Sequence, residues 1–318
     1  MKYLSLFSGI EAATVAWKPF GWEPIAFCEI NEFSNTVLSC RFPNIQNLGD
    51  VTKVDWSGYN GKVDIIVGGS PCQSFSLAGR YDGLQGESKL MFEYIRAIRE
   101  VMPRYFVWEN VPGALTSENG KAFGQLLYEL DVLGYGMAWL ILDAQFFGVS
   151  QKRRRVFLVG CLGSPERAAE ILFEPESMSW DYPQSKEKRQ EIAREATKSI
   201  GKDCGSLKKE TIYVIDRAAF NQGINSAYIP HIEETDVMDC LIAKGPHAVG
   251  IGEPLQVRTL TPIEYERLQG FPDDWTKVPY RGKSEEKCPK YARYKAVGNS
   301  MCVPVMRWIG ERINKYEE

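Results

Sequence analysis

Val63-Asp64-Ile65-Ile66-Val67-Gly68-Gly69-Ser70-Pro71-Cys72-Gln73 decides the fold and points to the chemistry. The run Val63 to Gly68 is apolar, short and closed by glycine, which reads as a buried strand. The pentapeptide that follows is a loop just beyond the strand's carboxyl end, where open α/β sheets bind their ligands. A thiol held there by a proline and approached by two glycines reads as a presented nucleophile. The other cysteines, Cys28, Cys40, Cys161, Cys204, Cys240, Cys288 and Cys302, read as small core hydrophobes, the usual fate of a free cysteine.

Outward from this strand the same texture repeats. Tyr3 to Ser8, Pro24 to Glu29, Tyr105 to Trp108, Ala138 to Leu142 and Val156 to Gly160 read as further strands. Glu11 to Trp17, Leu90 to Val101 and Lys121 to Leu133 carry helical patterns between them. Strands alternating with helices predict an α/β fold with a doubly wound, mostly parallel sheet. The alternation stops near Cys161. Beyond it come a charged helical stretch, Lys186 to Lys198, and glycine-punctuated segments with short, irregular strands. The expected organisation is a larger domain of residues 1–161 and 293–318 and a smaller, loop-rich domain of residues 162–292. Near the end, Gly298-Asn299-Ser300 forms a turn before a helical run, with Ser300 as its expected N-cap.

Composition narrows the class. The chain has 318 residues, 44% hydrophobic and 25% charged, enough for a sizeable core. Met1 to Phe7 is too quickly interrupted for a signal peptide, and no apolar run reaches membrane-spanning length. Unpaired cysteines then suggest a reducing, cytoplasmic compartment. With two histidines and no Cys-x-x-Cys pair, no metal site is expected. A net charge of -3 argues against a uniform nucleic-acid-binding surface but leaves room for a local basic cleft, and Gln151-Lys152-Arg153-Arg154-Arg155 is the dense candidate.

Two more constellations carry chemistry. The turn Leu6-Phe7-Ser8-Gly9-Ile10-Glu11 lets a ligand approach the backbone at Gly9 but lacks the full Gly-x-Gly-x-x-Gly pattern for a pyrophosphate. Glu29, about twenty residues on at the end of the next strand, suits ribose hydroxyls, or is an ordinary surface acid. Asp50 suits an adenine's exocyclic amine. A nucleoside without a pyrophosphate, such as S-adenosylmethionine, fits better than NAD. Glu109 ends an apolar strand at the ligand-binding edge, where burial would raise its pKa, or serves as a capping or salt-bridging acid. Arg153 and Arg155 would share one face of an extended segment, suited to phosphate or carboxylate, unless they form a solvated basic edge.

Taken in order, these segments resemble the cytosine-C5 DNA methyltransferase family. The matching pieces are Phe7-Ser8-Gly9-Ile10, Glu29, Asp50, Gly69 to Ser76, Glu109-Asn110-Val111 and Gln151 to Arg155. Arg258 to Pro262, Arg267 to Pro272 and Gly298-Asn299-Ser300 complete the set, leaving only the variable second domain uncovered. The resemblance implies that Cys72 attacks C6 of a flipped-out cytosine, that Glu109 bonds the N3 edge, and that Arg155 and Arg153 steady the base. It also implies S-adenosylmethionine as methyl donor, lined by Phe7, Ser8, Gly9, Ile10, Glu29, Ile30, Asp50, Val51, Pro71, Leu90, Asn299 and Ser300. Double-stranded DNA is the expected partner, read by loops near Asn221 to Asn225 and Ala243 to Val249, with the enzyme a monomer that can accompany a restriction endonuclease. Three positions depart from the family's pattern: Glu11-Ala12 replaces a glycine pair, Ile30 replaces an aromatic residue, and Gly86 to Leu90 lacks an arginine-glycine. The competing readings are a tRNA-methylating member of the same family and a catalytically silent DNA-binding regulator.

Overall fold

The computed structural model describes residues 1–70, 89–173, 212–215, 232–235, 237–241, 247–251 and 256–317. Its internal contacts divide the chain into two compact units. The first comprises Met1–Leu142, Arg154–Tyr182 and Met306–Glu318, the second Asp143–Arg153 and Pro183–Val305. The expected domains had their boundaries elsewhere: residues 143–153 and 293–305 group with the second unit, and 162–173 with the first.

The first unit is built on a seven-stranded sheet. Its strands are β1 (Lys2–Leu6), β2 (Glu23–Cys28), β3 (Gln46–Asn47), β4 (Ile65–Gly68), β5 (Tyr105–Asn110), β6 (Tyr135–Asp143) and β7 (Arg154–Leu162). They lie in the order β3-β2-β1-β4-β5-β7-β6. Parallel pairing runs from β3 to β5, and β7 is antiparallel to β5. The central strands are apolar without alternation, as strands covered on both faces must be; β4 is buried throughout. Chain order reverses between β1 and β4, so their carboxyl ends form the switch point at which open sheets bind ligands.

Helices α1 (Ala12–Trp17), α2 (Glu32–Arg41), α3 (Lys89–Val101), α4 (Lys121–Val132) and α5 (Pro165–Leu172) join or flank the strands. α3 buries Met91, Tyr94, Ile95, Ile98 and Val101, a helical stripe that packs with Phe106 and Trp108 of β5 in one core. α2 buries Phe33, Ser34, Val37 and Leu38, which leaves Cys40 off that stripe and exposed. Cys40 is therefore no core residue, whereas Cys28, Cys161, Cys288 and Cys302 are buried as expected. Cys204 and the expected helix Lys186 to Lys198 lie outside the described residues.

In the second unit, β8 (Ile212–Ile215), β9 (Ile232–Glu234), β10 (Ala248–Ile251) and β11 (Gln256–Thr259) form an antiparallel sheet in the order β11-β10-β8-β9. Ala248 and Val249, expected in a base-reading loop, are instead buried strand residues of β10, paired on both sides. Asn221 to Asn225 and residues 243–246 lie outside the described residues. α6 (Pro262–Gln269) starts at a Thr261–Glu264 capping box, and α7 (Lys290–Asn299) follows it. The final helix, α8, spans Val303–Asn314. Ser300 is not its N-cap: it ends α7, in an extended conformation, three residues before α8 begins.

Candidate active site

The turn after β1 is strained. Phe7, Gly9 and Glu11 all have left-handed backbones, with φ of 53°, 57° and 66°. Left-handed backbone costs the side-chain-bearing Phe7 and Glu11 about 1–2 kcal/mol each, a cost only Gly9 escapes. Ser8 ties it down: its hydroxyl donates to Ser5 O (2.8 Å) and accepts from Cys28 N (3.1 Å), linking β1 to β2. Ile10 is fully buried beneath the turn.

Glu29, just past β2, closes the same site. Its carboxylate accepts from the backbone N–H groups of Gly9 (2.8 Å), Ile30 (2.8 Å) and Asn31 (2.7 Å). Two oxygens offer about four acceptor positions, so one remains for a ligand hydroxyl. Asn47 fixes the arrangement from β3. Its amide oxygen accepts from Glu29 N and Gly49 N, and its NH2 donates to Glu29 O. Asp50, one residue past Gly49, caps a short turn through Thr52. Those Thr52 hydrogen bonds hold its carboxyl below the usual carboxylate range, so it is ionised at neutral pH. Val51 is buried behind it, Leu90 on α3 is half-buried, and Ile30 is 73% exposed beside Glu29.

The neighbouring strand end carries the second half. Ser70 is the last described residue ahead of Pro71 and Cys72, which lie outside the described residues. It is gripped by two residues of β5. Trp108 Nε1 donates to Ser70 Oγ (3.3 Å) and Asn110 Nδ2 to Ser70 O (3.1 Å). Between them lies Glu109, which pairs with Arg155 on β7: Arg155 Nε stands 3.3 Å from Glu109 Oε1. Both side chains are shielded, with 12% and 17% of their surface exposed. Gly68 makes the close strand packing possible, since a Cβ there would sit 2.5 Å from Leu6 O. The sheet thus brings a carboxylate–guanidinium pair and Ser70, two residues ahead of Cys72 in the chain, to one edge.

Arg153 has a different environment. β7 begins only at Arg154, so strand alternation does not extend back to Arg153, which belongs to the second unit. Its buried guanidinium donates to Ser300 O (2.7 Å), Gly298 O (3.3 Å) and Leu241 O (3.5 Å). Gln151 donates to Gln269 Oε1 and Leu268 O, and Gln269 donates to Ser300 O. This network fixes the turn at the end of α7, with Ser300 buried and Asn299 exposed.

Comparison with known proteins decides the lineage. Residues 1–315 match the model of the C-5 cytosine-specific DNA methylases. The chain belongs to that family. A DNA N-6-adenine-methyltransferase of Escherichia phage P1 is 31% identical over 98% of this chain, which spans 61% of that protein's length. The Type II methyltransferase M2.BsuMI of Bacillus subtilis is 30% identical over 99% of this chain and 76% of its own. Among solved structures, the S. pombe Dnmt2 methyltransferase matches the whole of both chains with a TM-score of 0.72 at 18% identity. The fold is that of S-adenosylmethionine-dependent methyltransferases, as the sequence led one to expect.

Several site residues of this family member escaped the sequence. Asn47 and Trp108 stand in none of the quoted motifs, and Asn110 stood in Glu109-Asn110-Val111 without a role of its own; Asn47 holds Glu29 by two hydrogen bonds, and Trp108 and Asn110 each hold Ser70 by one. A buried amide directly after the candidate acid Glu109 was the one available signal. Among the described residues no group of histidine, cysteine and carboxylate side chains suits a metal ion, and no helix is long and apolar enough to cross a membrane.

Proposed function

We propose that this protein transfers a methyl group from S-adenosylmethionine to C5 of a cytosine flipped out of a specific duplex DNA sequence. The observation that carries the proposal is the shielded Glu109–Arg155 pair beside Ser70, two residues ahead of Cys72 in the chain. A cytosine ring needs a nucleophile at C6 and a hydrogen-bond partner at N3, and these are the groups that supply them.

Cys72 acts as a thiolate, forming an S–C6 bond while the ring electrons move toward C5 and N3. Glu109 bonds the N3 edge as charge gathers there, and Arg155 holds that carboxylate in place. Arg153, engaged with the carbonyls of Gly298 and Ser300, acts as a positioning residue for the turn that presents Asn299. The bound S-adenosylmethionine supplies the electrophilic methyl group that C5 accepts. Loss of the C5 proton to a base then returns electrons to the ring, and the S–C6 bond breaks to release Cys72.

The turn after β1 fits that nucleoside. Glu29 has an acceptor position left for the ribose, Asp50 is ionised and half-exposed for the adenine amine, and Ile30, next to Glu29, offers an uncovered apolar surface. Phe7, Ser8, Gly9, Ile10, Val51 and Leu90 complete the pocket in this reading, and the family resemblance adds Pro71, Asn299 and Ser300 as expected cofactor residues. Flipping the base costs on the order of a few kcal/mol, offset by contacts from the second unit to the duplex. Work on cellular DNA implies a cytoplasmic setting, and Type II methyltransferases among the relatives make a partner restriction endonuclease a natural companion.

The phage P1 relative supports a second reading, methylation of an adenine amine. An exocyclic amine takes a methyl group directly and needs no cysteine adduct. The test is therefore Cys72→Ser, assayed with labelled S-adenosylmethionine on duplex DNA and on tRNA. Cytosine chemistry predicts loss of transfer to DNA with cofactor binding intact. Undiminished transfer by the variant would exclude the covalent route, transfer to tRNA alone would reassign the polymer, and no transfer by the wild type would leave a silent DNA-binding protein.

A further inference from the structure

Glu11 is a carboxylate to which nothing above gives a task. It lies in the turn that holds Gly9, with φ 66° and ψ 64°. A side chain in that conformation costs about 1–2 kcal/mol that glycine would not incur. The side chain is also 1% exposed. One oxygen accepts from Thr14 N at 3.2 Å and caps α1, while Oε2 has no hydrogen-bond partner among the described residues. Backbone strain and a buried, half-satisfied carboxyl are two penalties at one position. A glycine would remove both.

The groups that face Glu11 come from three elements. Ser5 and Tyr3 lie on β1, the latter with its hydroxyl on Thr14 Oγ1; Thr14 lies on α1; Glu29 stands past the end of β2. Burial pushes the Glu11 carboxyl up to about 7 against lowering by Ser5 and Thr14, and the nearby Glu29 carboxylate adds the smallest part of the rise. Charge at the ligand-binding turn is therefore felt at Glu11. Glu29 is joined on one side to Gly9 and on the other, through Asn47, to Gly49 and so to Asp50. An adenine on the Asp50 side leaves the 5′ tail of the nucleoside on the Gly9–Glu11 side.

We propose that Glu11 is the buried counter-charge for the cationic methionine end of S-adenosylmethionine, and that it selects this sulfonium over the uncharged thioether left after methyl transfer. The inference rests on the cofactor reading given above. A cation in the turn favours ionised Glu11; by linkage, ionised Glu11 favours the cation. The thioether product keeps the amino and carboxylate groups but lacks the sulfonium charge, so it is held less tightly and leaves. Glu11 acts through the field in the turn, as a positioning residue, and touches no reacting atom.

Calorimetric titration of wild type, Glu11→Gln and Glu11→Gly with S-adenosylmethionine and S-adenosylhomocysteine tests this, in two buffers of different ionisation enthalpy. Wild type should bind the sulfonium about fivefold more tightly at about pH 8 than at about pH 6, releasing protons, while the thioether changes by less than about twofold. The α-amino group common to both ligands cancels in the comparison. Both variants should lose the slope and bring the two affinities together. Glu11→Gly also relieves the backbone, so it guards against a variant that merely folds poorly. A variant with the wild-type slope, or a thioether with the same slope as the sulfonium, would overturn the proposal; equal weakening of both ligands at every pH would mark a structural role instead. Failure of the wild type to bind either ligand would remove the cofactor reading, and this inference with it.

Discussion

Asn110→Ala isolates the hold that β5 keeps on the root of the cysteine loop. Asn110 is buried, its Nδ2 donates to Ser70 O at 3.1 Å, and its Oδ1 accepts from Val111 N at 2.9 Å. Truncation removes both bonds and leaves a buried carbonyl and an N–H with poor alternatives, at about 2–4 kcal/mol in all. That is a large part of a domain's stability of about 5–15 kcal/mol but does not exhaust it. The variant should fold, with a lower urea midpoint. Its larger effect should fall on chemistry, since a reacting group displaced by about 1 Å costs about a hundredfold in rate. Single-turnover methyl transfer at saturating DNA and cofactor separates that loss from weaker binding. Trp108→Phe, which removes the 3.3 Å bond to Ser70 Oγ together with part of a fully buried ring stacked on Phe123, should cost about 1–3 kcal/mol and slow transfer less. A destabilised Asn110→Ala that transfers methyl groups at the wild-type rate would refute the claim that this bond positions the loop.

Three further outcomes follow from the geometry. Arg293 donates to Glu266 at 2.8 Å, with 8% and 0% of their side chains exposed, so Arg293→Met strands a buried carboxylate. The loss should be about 3–5 kcal/mol, read as a lower urea midpoint. Glu11 titrates in the fold at about 7, above its ordinary 4.5, so the folded protein holds a proton that the unfolded chain has lost between those values. Its contribution is fully present below about pH 4.5 and lost as pH rises through about 7, by about 3 kcal/mol; Glu11→Gln should remove that slope from the difference in urea stability. Glu29→Gln replaces an acceptor of three N–H bonds by a group with one oxygen and should weaken S-adenosylmethionine at least about tenfold by calorimetry.

The central strands were legible because a strand covered on both faces must be apolar throughout: the runs at Tyr3, Val63 and Tyr105 all became strands of the sheet. α2 was not, because its buried face mixes Ser34 with Phe33, Val37 and Leu38 and its other face is polar. β3 is only Gln46–Asn47, too short to leave a period, yet it carries the amide that fixes Glu29. Gly298-Asn299-Ser300 read as the start of a helix because serine favours N-caps; the tertiary bonds from Arg153 and Gln269 to Ser300 O instead hold it as the end of one. The paired arginines misled for a local reason. Alternation applies inside a strand, and β7 starts one residue too late to include Arg153. Motif positions thus survived translation into structure where the chemistry is local to a strand end, as at Glu109, and shifted where long-range hydrogen bonds decide.

The central claim is that Cys72, Glu109 and Arg155 serve a cytosine ring. Nucleoside mass spectrometry of DNA from cells producing the wild type or Cys72→Ser, with conversion sequencing of the same DNA, tests it most directly. The expected result is 5-methylcytosine in one sequence context with the wild type and none with the variant. N6-methyladenine in both samples, with no modified cytosine in either, would contradict it.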